Sequence, residues 1–314
     1  MTRLASIDGT HFLPDDARVS IYDRGFLYGD SVFETVRTYG GEPFALAEHL
    51  ARLERSAARV AIAMPLSAAD FGAEIRRAVR AAQNPESFAR AMLTRGSGPV
   101  GLDPALAGAP LRVIFVEPLT PLPAAFYRDG IAVVTVRTER ASDAAQGARG
   151  AKVGNYLASL LALKEAKERG AQEALILDAA GRVVEGTTSN VFVVRDGEIT
   201  TPPEQAGILL GITRAHLIEL DSELGHPVTM GSQATPNPGL LRSPVRLAEL
   251  TPADLASADE VFITSTLREV LPVVRVDDRP IADGRPGPVT RALHAAFRVR
   301  AGLGAEPMPW ELPS

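Results

Sequence analysis

Two residues in this chain have the type and setting for covalent chemistry on a carbonyl. Lys152 stands in Ala151-Lys-Val-Gly-Asn-Tyr156, at the lip of a small-residue turn. Glu185 opens Glu185-Gly-Thr-Thr-Ser-Asn-Val-Phe192, a carboxylate followed by a polar turn containing glycine. A lysine amine condenses with an aldehyde, and a carboxylate keeps a pyridine nitrogen protonated; a pyridoxal phosphate enzyme needs both. Most lysines are solvated surface groups. Lys152, however, precedes the start of an apolar helix, so its stem is expected to point towards a domain interior, where desolvation and nearby charge make an amine nucleophilic.

Periodicity shows which elements must carry these groups. Residues 31–39 alternate apolar and polar side chains as a half-buried strand does, and Gly40-Gly41 closes it as a hairpin turn. Leu46, Leu50, Leu53, Ala57 and Val60 recur at helical steps. A second helix starts at Ser67, with Asp70 three residues on as a variant capping box, and turns Phe71, Ile75 and Val79 inward. Strands are expected at 17–21, 90–95 and 111–116, with Asp23-Arg24-Gly25 as a turn. Together these make a small α/β domain over residues 1–117. Pro118-Leu-Thr-Pro-Leu-Pro123 predicts an extended linker over 118–128. A larger domain over 129–314 follows, with strands at 131–137, 174–178, 183–185, 190–195 and 260–264. Its helices are expected from Leu157 to Gly170, over 213–224 and over 289–299. Asp196-Gly197 is a hairpin signal, and the Pro-, Gly- and Ser-rich 229–246 reads as a surface loop.

Composition removes several classes of function. A chain of 314 residues can bury a large core and favours two domains. Its net charge of -5 argues against a nucleic-acid surface. The absence of cysteine excludes disulfides and thiolate metal sites. Histidines 11, 49, 216, 226 and 294 form no metal-spaced pair, so no metal site and no role is assigned to them. No apolar run is long enough to span a bilayer and the N-terminus lacks an apolar signal core, so no membrane partner and a cytoplasmic location are expected. Gly96-Ser-Gly-Pro-Val-Gly101 fits a dinucleotide fingerprint, but residues 102–110 lack the required helix pattern, which rejects that reading.

Lys152-Val-Gly-Asn-Tyr156-Leu, Glu185-Gly-Thr-Thr-Ser-Asn-Val-Phe and Gly211-Ile-Thr-Arg214 resemble the class IV, fold type IV aminotransferases. That group contains the branched-chain and D-amino acid aminotransferases and aminodeoxychorismate lyase. Asp23-Arg-Gly-Phe-Leu-Tyr-Gly-Asp-Ser-Val-Phe-Glu34 and Ala258-Asp-Glu-Val-Phe-Ile-Thr-Ser-Thr266 also match, in order along nearly the whole chain. The resemblance implies a small α/β sandwich domain and a larger domain with a β-barrel-like core flanked by helices. It implies pyridoxal 5'-phosphate attached to Lys152, with Tyr156 bonded to the ring oxygen and Glu185 paired with the ring nitrogen. The phosphate would be held by Arg52, Ile212, Thr213, Ser265 and Thr266. A homodimer is also implied.

The resemblance further places Tyr28, Phe33, Arg37, Phe88, Arg90, Val100, Leu102 and Leu267 around the substrate. Val100 and Leu102 are apolar where D-amino acid enzymes carry Arg and His, as in branched-chain enzymes. Arg90 stands where the lyase typically has lysine. Phe88 lacks the hydroxyl of the family's tyrosine, and Thr35 replaces a glycine usual in the branched-chain group. The expected reaction is amino exchange between an amino acid, of branched-chain L type, and a 2-oxo acid such as 2-oxoglutarate. The alternatives are lyase-type elimination and D-amino acid or (R)-amine transamination.

Overall fold

Strand alternation builds the first unit of the computed structural model, which describes residues 2–138, 148–224 and 244–312. In chain order its elements are β1 (Leu4–Ile7), β2 (Thr10–Phe12), α1 (Arg24–Tyr28), β3 (Ser31–Tyr39) and β4 (Glu42–Pro43). They continue with α2 (Leu46–Arg59), α3 (Ala68–Ala82), β5 (Ser87–Thr94) and β6 (Leu111–Pro118). The sheet runs β2-β1-β6-β5-β3-β4, antiparallel throughout. One face packs Val32, Val36, Ala91, Leu93 and Ile114 under Leu50 and Leu53 of α2 and Phe71 and Ile75 of α3. Period-two geometry sends Phe33, Thr35 and Arg37 to the opposite face, level with Met92, Arg90 and Phe88 of β5. As the spacing predicts, Ser67 caps α3 by accepting from Asp70 N at 3.1 Å.

Three local expectations change here. Residues 17–21 form no strand: they join no ladder, and Val19 and Ile21 face solvent. Asp23 is less a turn residue than the N-cap of α1, accepting from Gly25 N at 2.8 Å. The β1–β2 hairpin was not expected, yet Asp8-Gly9 at its tip takes positive φ at both positions, the geometry of a tight primed turn.

The second unit comprises α4 (Ala124–Arg128), β7 (Ile131–Arg137), α5 (Leu157–Glu168), β8 (Glu173–Leu177), β9 (Val183–Gly186), β10 (Asn190–Arg195) and β11 (Glu198–Thr201). After these come α6 (Ile212–Leu224), β12 (Arg246–Leu247), α7 (Pro252–Ala256), β13 (Glu260–Ser265), β14 (Glu269–Val276), β15 (Arg279–Pro280) and α8 (Pro288–Arg300). The sheet order is β12-β11-β10-β13-β14-β7-β8-β9, with β15 on β14. β9 and β10 are far apart in that order but only residues 187–189 connect them, so the sheet must curl back on itself: a half-barrel. The central strands β7 and β8 are apolar on both faces. Ile131, Val133 and Leu175 enter one core and Val134, Val136 and Ile176 the other. Their near-continuous apolar runs are those of strands covered on both sides.

The 118–128 stretch is only partly extended, because Ala124–Arg128 coils into α4 after Pro123. Contacts group Met1–Thr120 with Ala141–Tyr156, and Pro121–Arg140 with Leu157–Ser314. The lysine segment, expected in the large domain, therefore packs with the small one. The 229–246 loop falls mostly on 225–243, outside the described residues. Helix α5 forms as expected, but its alanines rather than its leucines face the sheet. Ala162 and Ala166 are buried, whereas Leu157, Leu160 and Leu161 are each about 60% exposed. Among the described residues no helix is long and apolar enough to cross a membrane.

Candidate active site

Backbone pairing with β3 fixes the lysine. Phe33 N donates to Lys152 O at 3.0 Å, Gly154 N to Ser31 O at 2.8 Å, and Val32 bridges to Val153. Lys152 N donates to Ser56 Oγ of α2 at 3.1 Å. Gly154 is required there, since a Cβ would lie 2.1 Å from Ser31 Oγ. The side chain then runs along the aromatic face of β3. Lys152 Nζ donates to Tyr156 Oη at 3.2 Å and lies 4.6 Å from the centre of the Phe33 ring. Phe33 and Tyr156 meet edge to face at 5.2 Å. The Arg90 guanidinium stacks on Phe33 at 3.7 Å. Four expected site residues thus converge: Lys152, Tyr156, Phe33 and Arg90.

Arg90 carries the more informative electrostatics. Its Nε is buried without a hydrogen-bond partner, and burial pulls its pKa below the usual arginine value, only partly offset by Tyr156. A half-desolvated cation with no carboxylate paired to it among the described residues is set to receive an anion. Arg37, on the same face, lies over Tyr39 at 4.6 Å and opposite Phe88.

Arg52 belongs to a buried cluster that the sequence did not disclose. Its Nε and Nη2 donate to the two Glu34 oxygens, each at 2.7 Å, and His49 Nδ1 meets Glu34 Oε2 at 2.8 Å. Burial pushes the Glu34 carboxyl up, but the Arg52 charge and the hydrogen bonds from Arg52 and His49 outweigh it and bring it to about 2. Burial holds His49 below the usual histidine value, so the neutral ring donates Nδ1–H to the carboxylate. Glu34 and His49 sit in the expected strand and helix. Only their pairing across elements, which spacing does not show, gives them a role.

Tyr28, Val100 and Leu102 gather separately. Tyr28 Oη accepts from Gly101 N at 3.1 Å. Arg24, 3% exposed, donates to the carbonyls of Gly101 and Leu102 and lies 5.1 Å from the Tyr28 ring. Val100 and Leu102 are themselves 69% and 81% exposed. The glycines serve the loop's own packing: a Cβ on Gly96 or Gly98 would fall 2.0 Å from a backbone oxygen.

In the second unit, Glu185 Oε2 accepts from Leu209 N at 3.0 Å and Asn190 Nδ2 at 3.4 Å. Asn190 also donates to Leu209 O at 2.8 Å, binding the acid's strand to the segment before α6. Ile212 and Thr213 occupy the first turn of α6, where N–H groups lack intrahelical acceptors and the helix dipole is positive. Gly211 permits this approach, because a Cβ would lie 2.1 Å from Asn190 Oδ1. Ser265 ends β13, Thr266 and Leu267 begin the half-buried turn to β14, and the neighbouring Thr264 Oγ1 is buried without a partner among the described residues. Of the three lysines in the chain, Lys164 and Lys167 lie exposed on α5, leaving Lys152 alone among aromatic rings.

Residues 31–276 match the sequence profile of amino-transferase class IV. A putative branched-chain-amino-acid aminotransferase of Methanocaldococcus jannaschii is 38% identical over 90% of this chain and 91% of its own length. A D-alanine aminotransferase of Bacillus licheniformis is 32% identical over 90% and 92%. A branched-chain amino acid aminotransferase of Escherichia coli superposes with a TM-score of 0.84 at 30% identity, covering 99% of this chain and 98% of that one. Another branched-chain amino acid aminotransferase, solved with pyridoxamine 5'-phosphate, also reaches a TM-score of 0.84, at 31% identity over 96% of this chain and 94% of its own.

Proposed function

This chain belongs to the class IV aminotransferases, and from that premise we propose that it uses pyridoxal 5'-phosphate to exchange an amino group between a branched-chain L-amino acid and a 2-oxo acid such as 2-oxoglutarate. The observation that carries the reading is the set of Lys152, Tyr156, Phe33 and Arg90: an amine, a phenol and a cation without an acid partner among the described residues, on one aromatic face. The residues also fit the cofactor. An orphaned buried hydroxyl on Thr264, the open N–H groups of α6 and the glycine at 211 suit an anion such as a phosphate. The relative solved with pyridoxamine 5'-phosphate supports the same choice.

When bound, the cofactor supplies an electron sink for the substrate's α-carbon. Lys152 would hold it covalently through Nζ and, as a free amine, would accept the substrate's α-proton on Nζ and deliver it to the cofactor carbon that receives the amino group. Tyr156 Oη accepts from Nζ at 3.2 Å and would donate its own hydroxyl proton to the cofactor's ring oxygen. Glu185 would keep the ring nitrogen protonated; Asn190 and Leu209 N fix the direction of its carboxylate. Ile212, Thr213, Ser265 and Thr266 would bind the phosphate by N–H and hydroxyl groups; in the first unit, Arg52, whose plane Glu34 fixes, is the cation that the family resemblance assigns to the same group. Arg90 would receive a substrate carboxylate, with Phe33, Arg37 and Phe88 on the same face of β3 and β5 beside the substrate side chain. Tyr28 of α1 and the exposed Val100 and Leu102 beside it would serve a second copy of the chain.

A homodimer is consistent with the apolar groups on the surface: Phe26, Val100 and Leu102, and Leu157, Leu160 and Leu161 of α5, are all more than half exposed. A cytoplasmic location accords with the absence of cysteine. Half-reactions of the cofactor-loaded protein with L-leucine, L-glutamate, D-alanine and an (R)-amine decide the substrate. Conversion by L-leucine and L-glutamate is expected; reaction with D-alanine alone would overturn the branched-chain assignment.

A further inference from the structure

Glu173 is wholly buried at the start of β8, and no motif singled it out. Its Oε1 accepts from Ala174 N at 2.9 Å, from Thr187 N at 3.2 Å and from the Thr187 hydroxyl. Its Oε2 accepts from Ser189 Oγ at 3.4 Å and from Arg268 Nη1. One carboxylate therefore ties three separate pieces of the second unit together: β8, the 187–189 connection after Glu185, and the 265–268 turn with Thr266. Both turns are tight. Gly186 N closes on Ser189 O at 2.7 Å, and a Cβ on Gly186 would lie 2.1 Å from Ser189 Oγ. Arg268 is held at both ends, its side chain by Glu173 and its carbonyl by Tyr127 Oη at 3.1 Å. Glu269, the next residue, takes φ +56 and is anchored by His294 at 2.6 Å, which commits the turn to one conformation.

We propose that Glu173 is a positioning residue for the cofactor: through Thr187 and Ser189 it sets the turn that follows Glu185, and through Arg268 the turn that presents Ser265 and Thr266. The role suits a carboxylate. All its neighbours are donors, and a carboxylate accepts with both oxygens, whereas an amide must present N–H groups to one side of that set. The inference rests on the pyridoxal phosphate reading of those two turns, since a pair of turns with no ligand would need stability but no fixed spacing.

The test is pyridoxal phosphate binding to the apo full-length chain, by equilibrium dialysis and by the absorbance of the bound cofactor, with thermal melting of each apo-protein alongside. Glu173→Gln should raise the dissociation constant by about tenfold or more, a size expected when a charged hydrogen-bond acceptor is lost. Arg268→Gln, a change at a partly buried residue that leaves the bonds of Glu173 to Ala174 N, Thr187 and Ser189 in place, should raise it less but in the same direction. In a Thr266→Ala background the effect of Glu173→Gln should shrink to less than half on a logarithmic scale, because part of it passes through that turn. A lower melting temperature with an unchanged dissociation constant in both single variants overturns the proposal, as does full additivity with Thr266→Ala. Should Glu173→Gln fail to fold, an unchanged constant in Arg268→Gln overturns it alone. Wild-type protein that binds no pyridoxal phosphate would instead overturn the cofactor reading itself, a separate outcome.

Discussion

Replacing Glu34 by glutamine should expose how much the first unit depends on one buried charge. Glu34 is 1% exposed and Arg52 5%, so the pair is shielded from water. The carboxyl falls from 4.5 to about 2 on folding, despite its burial, because of Arg52 and His49. A folded-state value below the unfolded one means a contribution that is complete above about pH 4.5 and disappears as pH falls towards 2. The difference of about 2.5 units corresponds to about 3 kcal/mol. Glutamine would remove this and leave the Arg52 guanidinium buried without its carboxylate, a loss of about 3–5 kcal/mol. The assay is urea unfolding of both proteins at pH 7 and pH 2.5. Far-UV circular dichroism is the suitable probe, since the single tryptophan, Trp310, lies in the second unit. The variant should be less stable by about 3 kcal/mol or more at pH 7, with the gap closing to about 1 kcal/mol at pH 2.5. A gap below about 1 kcal/mol at pH 7, or one that does not change with pH, would refute the reasoning.

Tyr156→Phe removes the hydroxyl 3.2 Å from Lys152 Nζ but keeps the edge-to-face packing on Phe33. Turnover should fall by about tenfold, with the pH profile of kcat displaced and the melting temperature unchanged. Arg90→Met keeps the stem on Phe33 and deletes a cation that pairs with no acid among the described residues. KM for 2-oxoglutarate should rise about 10–100-fold, without loss of stability. A double change, Leu157→Lys with Leu161→Glu, alters side chains already about 60% exposed. Light scattering should show monomers where the wild type is dimeric, with apo-protein stability unaffected; a monomeric wild type contradicts the proposed homodimer.

The parts of the molecule legible in the sequence are those specified within a few residues. The alternation of 31–39, the helical steps of α2 and the Ser67 cap each depend on near neighbours, and each formed as expected. The 17–21 alternation was equally regular and formed nothing, because a strand needs a free edge to pair with and no local pattern supplies one. The converse case is β14, which ran unseen through Leu-Pro-Val-Val and pairs in parallel with β7, more than a hundred residues earlier. The site followed the same division. Lys152, Tyr156 and Arg90 were named from motifs and do share one aromatic face. Glu34, His49, Arg24 and Glu173 were invisible as participants, since a buried acid is recognised by the donors around it, and those come from distant elements.

The central claim is that Lys152 carries the cofactor, and the scarcity of lysine makes its test unusually clean. Purified protein is incubated with pyridoxal 5'-phosphate, reduced with borohydride, digested and mapped by mass spectrometry. Besides the chain's terminal amine, only Lys152, Lys164 and Lys167 can take the label, and peptide mapping separates all four. The phosphopyridoxyl group should be found on Lys152 at one per chain, and should be absent from a Lys152→Ala variant. Unlabelled protein, or label confined to Lys164 and Lys167 on the exposed face of α5, would contradict the account.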